Sequence, residues 1–192
     1  MITRTFVQQA FLATLFLPFF VIQTASAALT DAERHLIKAS ISSSHYFDDH
    51  FEAQVWLTDM SLRLKSRIRD KHERIQLLNI VHAEANRAGL EPELVLAIIE
   101  VESSFNRWAI SKVGARGLMQ VMPFWVKELG NPSDNLFHLS TNIRLGCAVL
   151  RHYLDIEKGN LVKALARYNG SKGSDRYPSK VLAALQNNWY SP

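Results

Sequence analysis

Apolar side chains recur every three or four residues through most of the chain. Between residues 46 and 68, Phe47, Phe51 and Val55 repeat at four-residue intervals, and so do Trp56, Met60, Leu64 and Ile68. That is the spacing of one face of an α-helix. A second helix is predicted over about residues 72–88, with Ile75, Leu78, Val81, His82 and Ala85 inward and Gly89 as its stop. Pro92 opens a third helix at its first turn, with Leu94, Val95, Ile98 and Ile99 on its apolar side. Helix is expected again from Leu118, interrupted near Pro123 and ending at Gly130, then over 141–156, 161–168 and 180–189. A short helical stretch over 28–39, with Thr30 placed to cap it, precedes a serine-rich break. Sustained two-residue alternation is absent, so the chain reads as a mainly α domain with short connections.

The first 27 residues break this pattern. Arg4 precedes an apolar stretch over 11–22, and Ala25-Ser26-Ala27 follows as a small-x-small cleavage site. This is the form of a secretory signal peptide cut after Ala27. The apolar run is about a dozen residues, short of the roughly 20 that span a bilayer. No stable membrane span is expected after its removal. The expected division is a signal peptide (1–27), an N-terminal helical extension (28–88) and a C-terminal helical domain (89–192).

Of the 192 residues, 47% are hydrophobic and 21% charged, which fits a folded globular chain rather than a disordered one. The formal charge of +4 is mild and calls for no nucleic-acid partner. The basic residues around 63–71 read as a solvated helix face. The single cysteine, Cys147, lies in an apolar helical run and reads as a small buried residue. The seven histidines include no HExxH, so neither a metal site nor a cofactor is expected.

Chemistry enters with one acid. Val95, Ile98, Ile99 and Glu102 stand at i, i+3, i+4 and i+7, which places Glu102 on the apolar side of its helix. Glu100 lies about 200° away round the axis. With Glu93 and Ser104 it is expected to point to solvent. An inward acid at a helix end loses water, so its pKa rises and it can deliver a proton near neutral pH. The same periodicity fits a half-buried Glu paired with an arginine or a backbone amide. Two other segments stand out. Gly114-Ala115-Arg116-Gly117-Leu118-Met119-Gln120 places two glycines round a short loop, which allows close backbone approach to a ligand or simply a helix entry. Ala166-Arg167-Tyr168-Asn169-Gly170 ends a helix with a phenol and an Asn-Gly cap.

In this order and spacing, Glu102-Ser103, Gly117-Leu118-Met119-Gln120 with Met122-Pro123, and Tyr168-Asn169-Gly170 resemble the motifs of the soluble lytic transglycosylase (SLT) family. Asn142-Ile143 with Gly146, and Tyr177 with Val181, are similar to two further family segments. The resemblance covers about residues 90–185 and implies a goose-type-lysozyme-like catalytic domain. It implies peptidoglycan glycan strands as substrate, with cleavage of the β-1,4 bond from N-acetylmuramic acid to N-acetylglucosamine and a 1,6-anhydromuramic product. Glu102 would be the sole acid/base. Ser103 would bond near that acid and the sugar, Met119 and Gln120 would line a subsite, and Tyr168 would hydrogen-bond the carboxylate. Asn169 would hold its loop and Tyr177 would wall the groove.

The chain departs from the family where Glu-Thr often precedes the last tyrosine. Here Gly173-Ser174-Asp175-Arg176-Tyr177 stands instead. Gly170-Ser171 also replaces a common Ala-Gly. Both departures fall at one rim of the expected groove. Ordinary glycosidases use two carboxylates, and no second acid lies between Glu102 and Gln120; folding has to decide whether Asp155, Glu157 or Asp175 approaches. Trp108, Trp125 and Trp189 suit either packing or sugar stacking. The implied location is outside the cytoplasm, in the periplasm or cell wall of a bacterium, with a cell-wall or secretion-apparatus partner compatible with it. A hydrolase of goose-lysozyme type and a non-catalytic peptidoglycan-binding scaffold are the competing readings.

Overall fold

The computed structural model describes residues 50–190, with side chains from residue 56 onward. The expected signal peptide and the 28–39 helix lie outside the described residues. Among the described residues seven α-helices follow one another: α1 (His50–Leu64), α2 (Lys71–Arg87), α3 (Pro92–Ser103), α4 (Phe124–Leu129), α5 (Leu139–Ile156), α6 (Leu161–Tyr168) and α7 (Arg176–Ala184). A π-helical turn, Leu185–Trp189, continues α7. Among the described residues the only β-pairing is a pair of isolated bridges, Ile110 to Arg116 and Arg116 to Val121. The mainly α architecture expected from periodicity is what forms.

α3 is the centre. Leu94 through Ile99 are all buried, so this helix is enclosed all round rather than on one stripe. Pro92 sits in its first turn, where a missing N–H costs nothing. α2 packs against it on one side, and α7 with the π-helical turn on the other. α5, the longest helix, packs on α2 and α6. One hydrophobic cluster runs from Met60, Leu64 and Leu78 through Val95 and Ile98 to Leu150 and Val181. The core therefore continues across residue 88, where an N-terminal extension was expected to end; α1 and α2 build the same core as α3.

Polar anchors fix the helix ends. Asp70 caps α2 by accepting from the Glu73 amide at 2.7 Å, and Asn160 caps α6 through the Lys163 amide at 3.0 Å. Arg74 is buried and donates to the carbonyls of Ile68 and Arg69, both at 2.7 Å, which closes the α1–α2 turn. The basic stretch read as a solvated face is thus partly structural. Arg67 pairs with Glu100 and stacks against Phe105 and Trp189, with its guanidinium carbon 5.9 and 5.5 Å from the ring centres.

The same contacts correct the expectation that Glu100 and Glu93 face solvent. Glu100 also accepts from Trp189 Nε1 at 2.8 Å and Asn188 Nδ2 at 3.0 Å. Glu93 accepts from Trp56 Nε1 at 2.7 Å. The far side of α3 is covered by α1 and the C-terminal turn, which helical phase alone does not reveal.

Two boundaries differ from the sequence pattern. Residues 118–123 are not helical; α4 starts only at Phe124. Gly117 and Gln120 take positive φ angles of 76° and 48°, which no helix accommodates. The Met119 amide is instead bound by the Asn142 side chain at 2.8 Å. The last helix begins at Arg176 rather than at 180, which carries Tyr177 into its first turn.

Asn142, in the first turn of α5, is 1% exposed and fully used. Its Oδ1 accepts from the Met119 amide, and its Nδ2 donates to the carbonyls of Arg116 and Leu136, each at 2.8 Å. A side chain at Gly117 would collide with Asn142 and with the Leu136 carbonyl. A Cβ at Gly146, one turn on, would lie 2.5 Å from Met119 Sδ. These small residues let the 106–123 loop lie directly on α5. Replacing Asn142 by Ala strands the Met119 amide and the Leu136 carbonyl and removes one of the two donors to the Arg116 carbonyl, so Asn142→Ala is expected to lose about 3 kcal/mol of stability. Thermal unfolding monitored by circular dichroism should show a drop on the order of 10 °C.

Candidate active site

Glu102 lies in the last turn of α3, and the chain leaves that helix by an unusual route. Ser104 and Phe105 both adopt positive φ angles, 49° and 65°. Two consecutive non-glycine residues in this region are strained and need support from packing. Phe105 is buried against Trp189, ring centres 5.6 Å apart. The sharp exit leaves the carboxyl of Glu102 at the edge of the core.

There it lines an open cavity of about 310 Å³, together with Val101, Asn169, Ser171, Ser174, Arg176, Tyr177 and Lys180. The Tyr177 hydroxyl donates to Glu102 Oε1 at 2.7 Å. Burial raises the Glu102 pKa to about 7, against a smaller lowering by the Tyr177 hydrogen bond. Tyr177 is itself pushed well up by burial and by the neighbouring acid, so it stays a phenol and acts as donor. The acid beside it is thus half protonated near neutral pH.

Glu102 is the only carboxylate among the described residues that line this cavity. Asp155 pairs with Arg151 at 2.6 Å and Glu157 pairs with Arg167, so both are held elsewhere. Asp175 precedes α7 without lining the cavity.

The structure brings Glu102, Asn169 and Tyr177 together and sets the other expected residues behind them. Tyr168 does not reach the carboxylate: its hydroxyl donates to the Met119 carbonyl at 2.7 Å. Tyr177 makes the bond to Glu102 instead, because α7 starts early enough to carry it over the end of α3. Met119 is 0% exposed and packs beneath Gly146, so it has no surface to offer a ligand. Its amide and carbonyl are held by Asn142 and Tyr168. Gln120 uses Nε2 to donate to the carbonyls of Gly117 at 2.9 Å and Ala109 at 3.2 Å, which leaves its oxygen as the remaining polar handle. Ser103 Oγ donates back to the Ile99 carbonyl at 3.1 Å.

Sequence reasoning missed Arg176, Lys180, Ser171 and Ser174, which line the cavity from the α6–α7 loop and α7. Ser171, Ser174 and Arg176 fall where the chain departs from the family pattern, which was the available sequence signal, and Lys180 lies outside it. Of the tryptophans, Trp125 and Trp189 are buried, while Trp108 is 62% exposed with Arg107 stacked 4.7 Å from its ring. Cys147 is buried, and burial pushes its thiol up, as a small packed residue requires.

The family model for the transglycosylase SLT domain matches residues 79–187. The chain belongs to this family. A transglycosylase of Enterobacteria phage PRD1 is 36% identical over 115 residues, which cover 56% of this chain and 42% of that protein. Membrane-bound lytic murein transglycosylase C of Yersinia pestis is 38% identical over 113 residues, covering 50% of this chain and 32% of that protein. The matched stretch thus spans less than half the length of either relative. Among solved structures, lytic transglycosylase Slt from Pseudomonas aeruginosa, an inactive mutant, aligns at 38% identity with a TM-score of 0.43, over 49% of this chain and 16% of that one.

Raising a carboxyl pKa from 4.5 to about 7 on folding costs stability wherever the unfolded chain would be ionised. The group contributes no penalty below its unfolded pKa. The penalty builds as pH climbs toward 7 and is complete above it. Glu102→Gln should therefore be more stable than wild type at pH 8 by about 3 kcal/mol, with the difference vanishing near pH 4. Urea unfolding at the two pH values measures this.

Proposed function

We propose that the chain is a peptidoglycan lytic transglycosylase with Glu102 as its single general acid/base. The observation that carries this reading is a lone carboxyl at the cavity wall, held by burial at a pKa of about 7. In the first step its proton passes to the glycosidic oxygen between N-acetylmuramic acid and N-acetylglucosamine. The C1–O bond breaks and the N-acetylglucosamine chain leaves as an alcohol. In the second step the Glu102 carboxylate takes the proton of the muramyl C6 hydroxyl as that oxygen bonds to C1. The product is a 1,6-anhydromuramic end. The acid returns to its protonated form and no water is consumed.

A single acid suits this chemistry because the substrate's own hydroxyl replaces the second carboxylate of ordinary glycosidases. A pKa near the working pH lets one group donate and then accept. Tyr177 would hold Glu102 in position, with Asn169 at the cavity wall. Gln120 would offer its oxygen to substrate, while Ser103, Met119 and Tyr168 would support the site from behind. Membership of the SLT family supports the substrate class. The signal-like leader and the cell-envelope relative support export to the periplasm or cell wall. Among the described residues, no helix is long and apolar enough to cross a membrane.

The test is mass spectrometry of fragments released from isolated sacculi, with Glu102→Gln alongside. Anhydro ends, one water lighter than hydrolysis products and absent with the variant, are expected. The variant should lose at least about 100-fold in rate. Reducing ends lost in the variant would make the protein a lysozyme-like hydrolase, and equal turnover by both would remove Glu102 from the chemistry.

A further inference from the structure

Two basic side chains line the cavity with Glu102, and among the described residues neither has a counter-ion. Arg176 opens α7 and Lys180 follows one turn later, a spacing that sets two side chains about 6 Å apart on one face. Both line the cavity. Neither forms an ion pair among the described residues, although Arg63, Arg67, Arg87, Arg144, Arg151 and Arg167 all do. Burial and Tyr177, rather than either cation, set the Glu102 proton affinity. Two positive charges therefore face the same space as the acid without being neutralised by it.

A second observation concerns the same lining. Ser171 Oγ, on the α6–α7 loop, is shielded from solvent and has no hydrogen-bond partner, yet its residue lines the cavity. Ser174 lines the cavity beside it. A shielded hydroxyl without a partner is costly unless something supplies one. Hydroxyl donors flanked by an arginine and a lysine form a carboxylate-binding set.

On the peptidoglycan reading, we propose that Arg176, Lys180 and Ser171 bind a carboxylate of the peptide stem carried by the muramyl residue at the cleavage site. The stem leaves the sugar through its lactyl group and bears free carboxylates, so it presents anions beside the glycosidic bond. A stripped strand keeps only the lactyl carboxylate. The recognition would select stem-bearing glycan over bare glycan, and two of its three residues, Ser171 and Arg176, lie where this chain departs from its family's pattern.

The test uses binding, so that it does not depend on cleavage. Soluble glycan fragments with intact stems, and the same fragments stripped of stems by an amidase, are titrated by calorimetry into the full chain carrying Glu102→Gln. Stem-bearing fragments are expected to bind about fivefold more tightly, a preference that shrinks as salt is raised. Adding Arg176→Gln and Lys180→Gln should bring the ratio close to one, with the melting temperature unchanged because both side chains are exposed. Ser171→Ala should narrow the ratio by itself. An unchanged ratio in the double variant, or equal losses on both fragments, would overturn the assignment. A loss confined to stripped fragments would assign the pair to the lactyl carboxylate and overturn the stem. Failure of the Glu102→Gln parent to bind either fragment would contradict the peptidoglycan reading itself, and the stem assignment with it.

Discussion

Removing one carboxyl from most of its water is the constraint on which the site depends. Glu102 sits where the enclosed helix α3 meets a cavity, so one side of its carboxyl faces packed hydrocarbon and the other faces solvent space. Desolvation pushes its proton affinity up, and one phenolic hydrogen bond partly restores the charged form. The balance falls at about 7. Deeper burial would lock the proton in place, and full exposure would leave an ordinary carboxylate unable to protonate a leaving group.

The scaffold keeps that balance through polar groups buried for geometry. Asn142 ties the 106–123 loop to α5, and Tyr168 ties the Met119 carbonyl from the other side. On the opposite face of α3, Glu100 gathers Arg67, Asn188 and Trp189, which pins the C-terminal turn to the helix that carries Glu102. α7 is thereby held over the end of α3, and Tyr177 arrives at Glu102 as a consequence. Two acids two residues apart on one helix thus have opposite tasks: one is fully bonded and structural, the other left with a single donor at an open cavity.

Periodicity made α3 and the inward position of Glu102 legible, because a 3.6-residue repeat states directly which side chains share a face. It also located α2, α5 and α6 closely. It failed over 118–123, where apolar residues occur at helical spacing but left-handed dihedrals at Gly117 and Gln120 and a side-chain bond to the Met119 amide decide the backbone. It failed for Glu100, because the residues that cover it, Arg67, Asn188 and Trp189, are remote in sequence. The exchange between Tyr168 and Tyr177 has the same origin: which phenol reaches the acid depends on where α7 begins, a matter of a few residues that no local pattern specifies. Arg176 lies in a stretch that departs from the family pattern, whereas Lys180 carried no sequence signal and emerged only when folding placed it at the cavity.

The central claim is that the folded protein holds the Glu102 proton near neutrality. Carbon-13 NMR of a glutamate-labelled sample, with Glu102 assigned by its loss in Glu102→Gln, reads that proton directly. A carboxyl resonance titrating at about 7, and at higher pH in Tyr177→Phe where the hydrogen bond to the charged form is gone, is the predicted result. Titration near 4.5, the value of a water-exposed glutamate, with no response to Tyr177→Phe, would contradict the account.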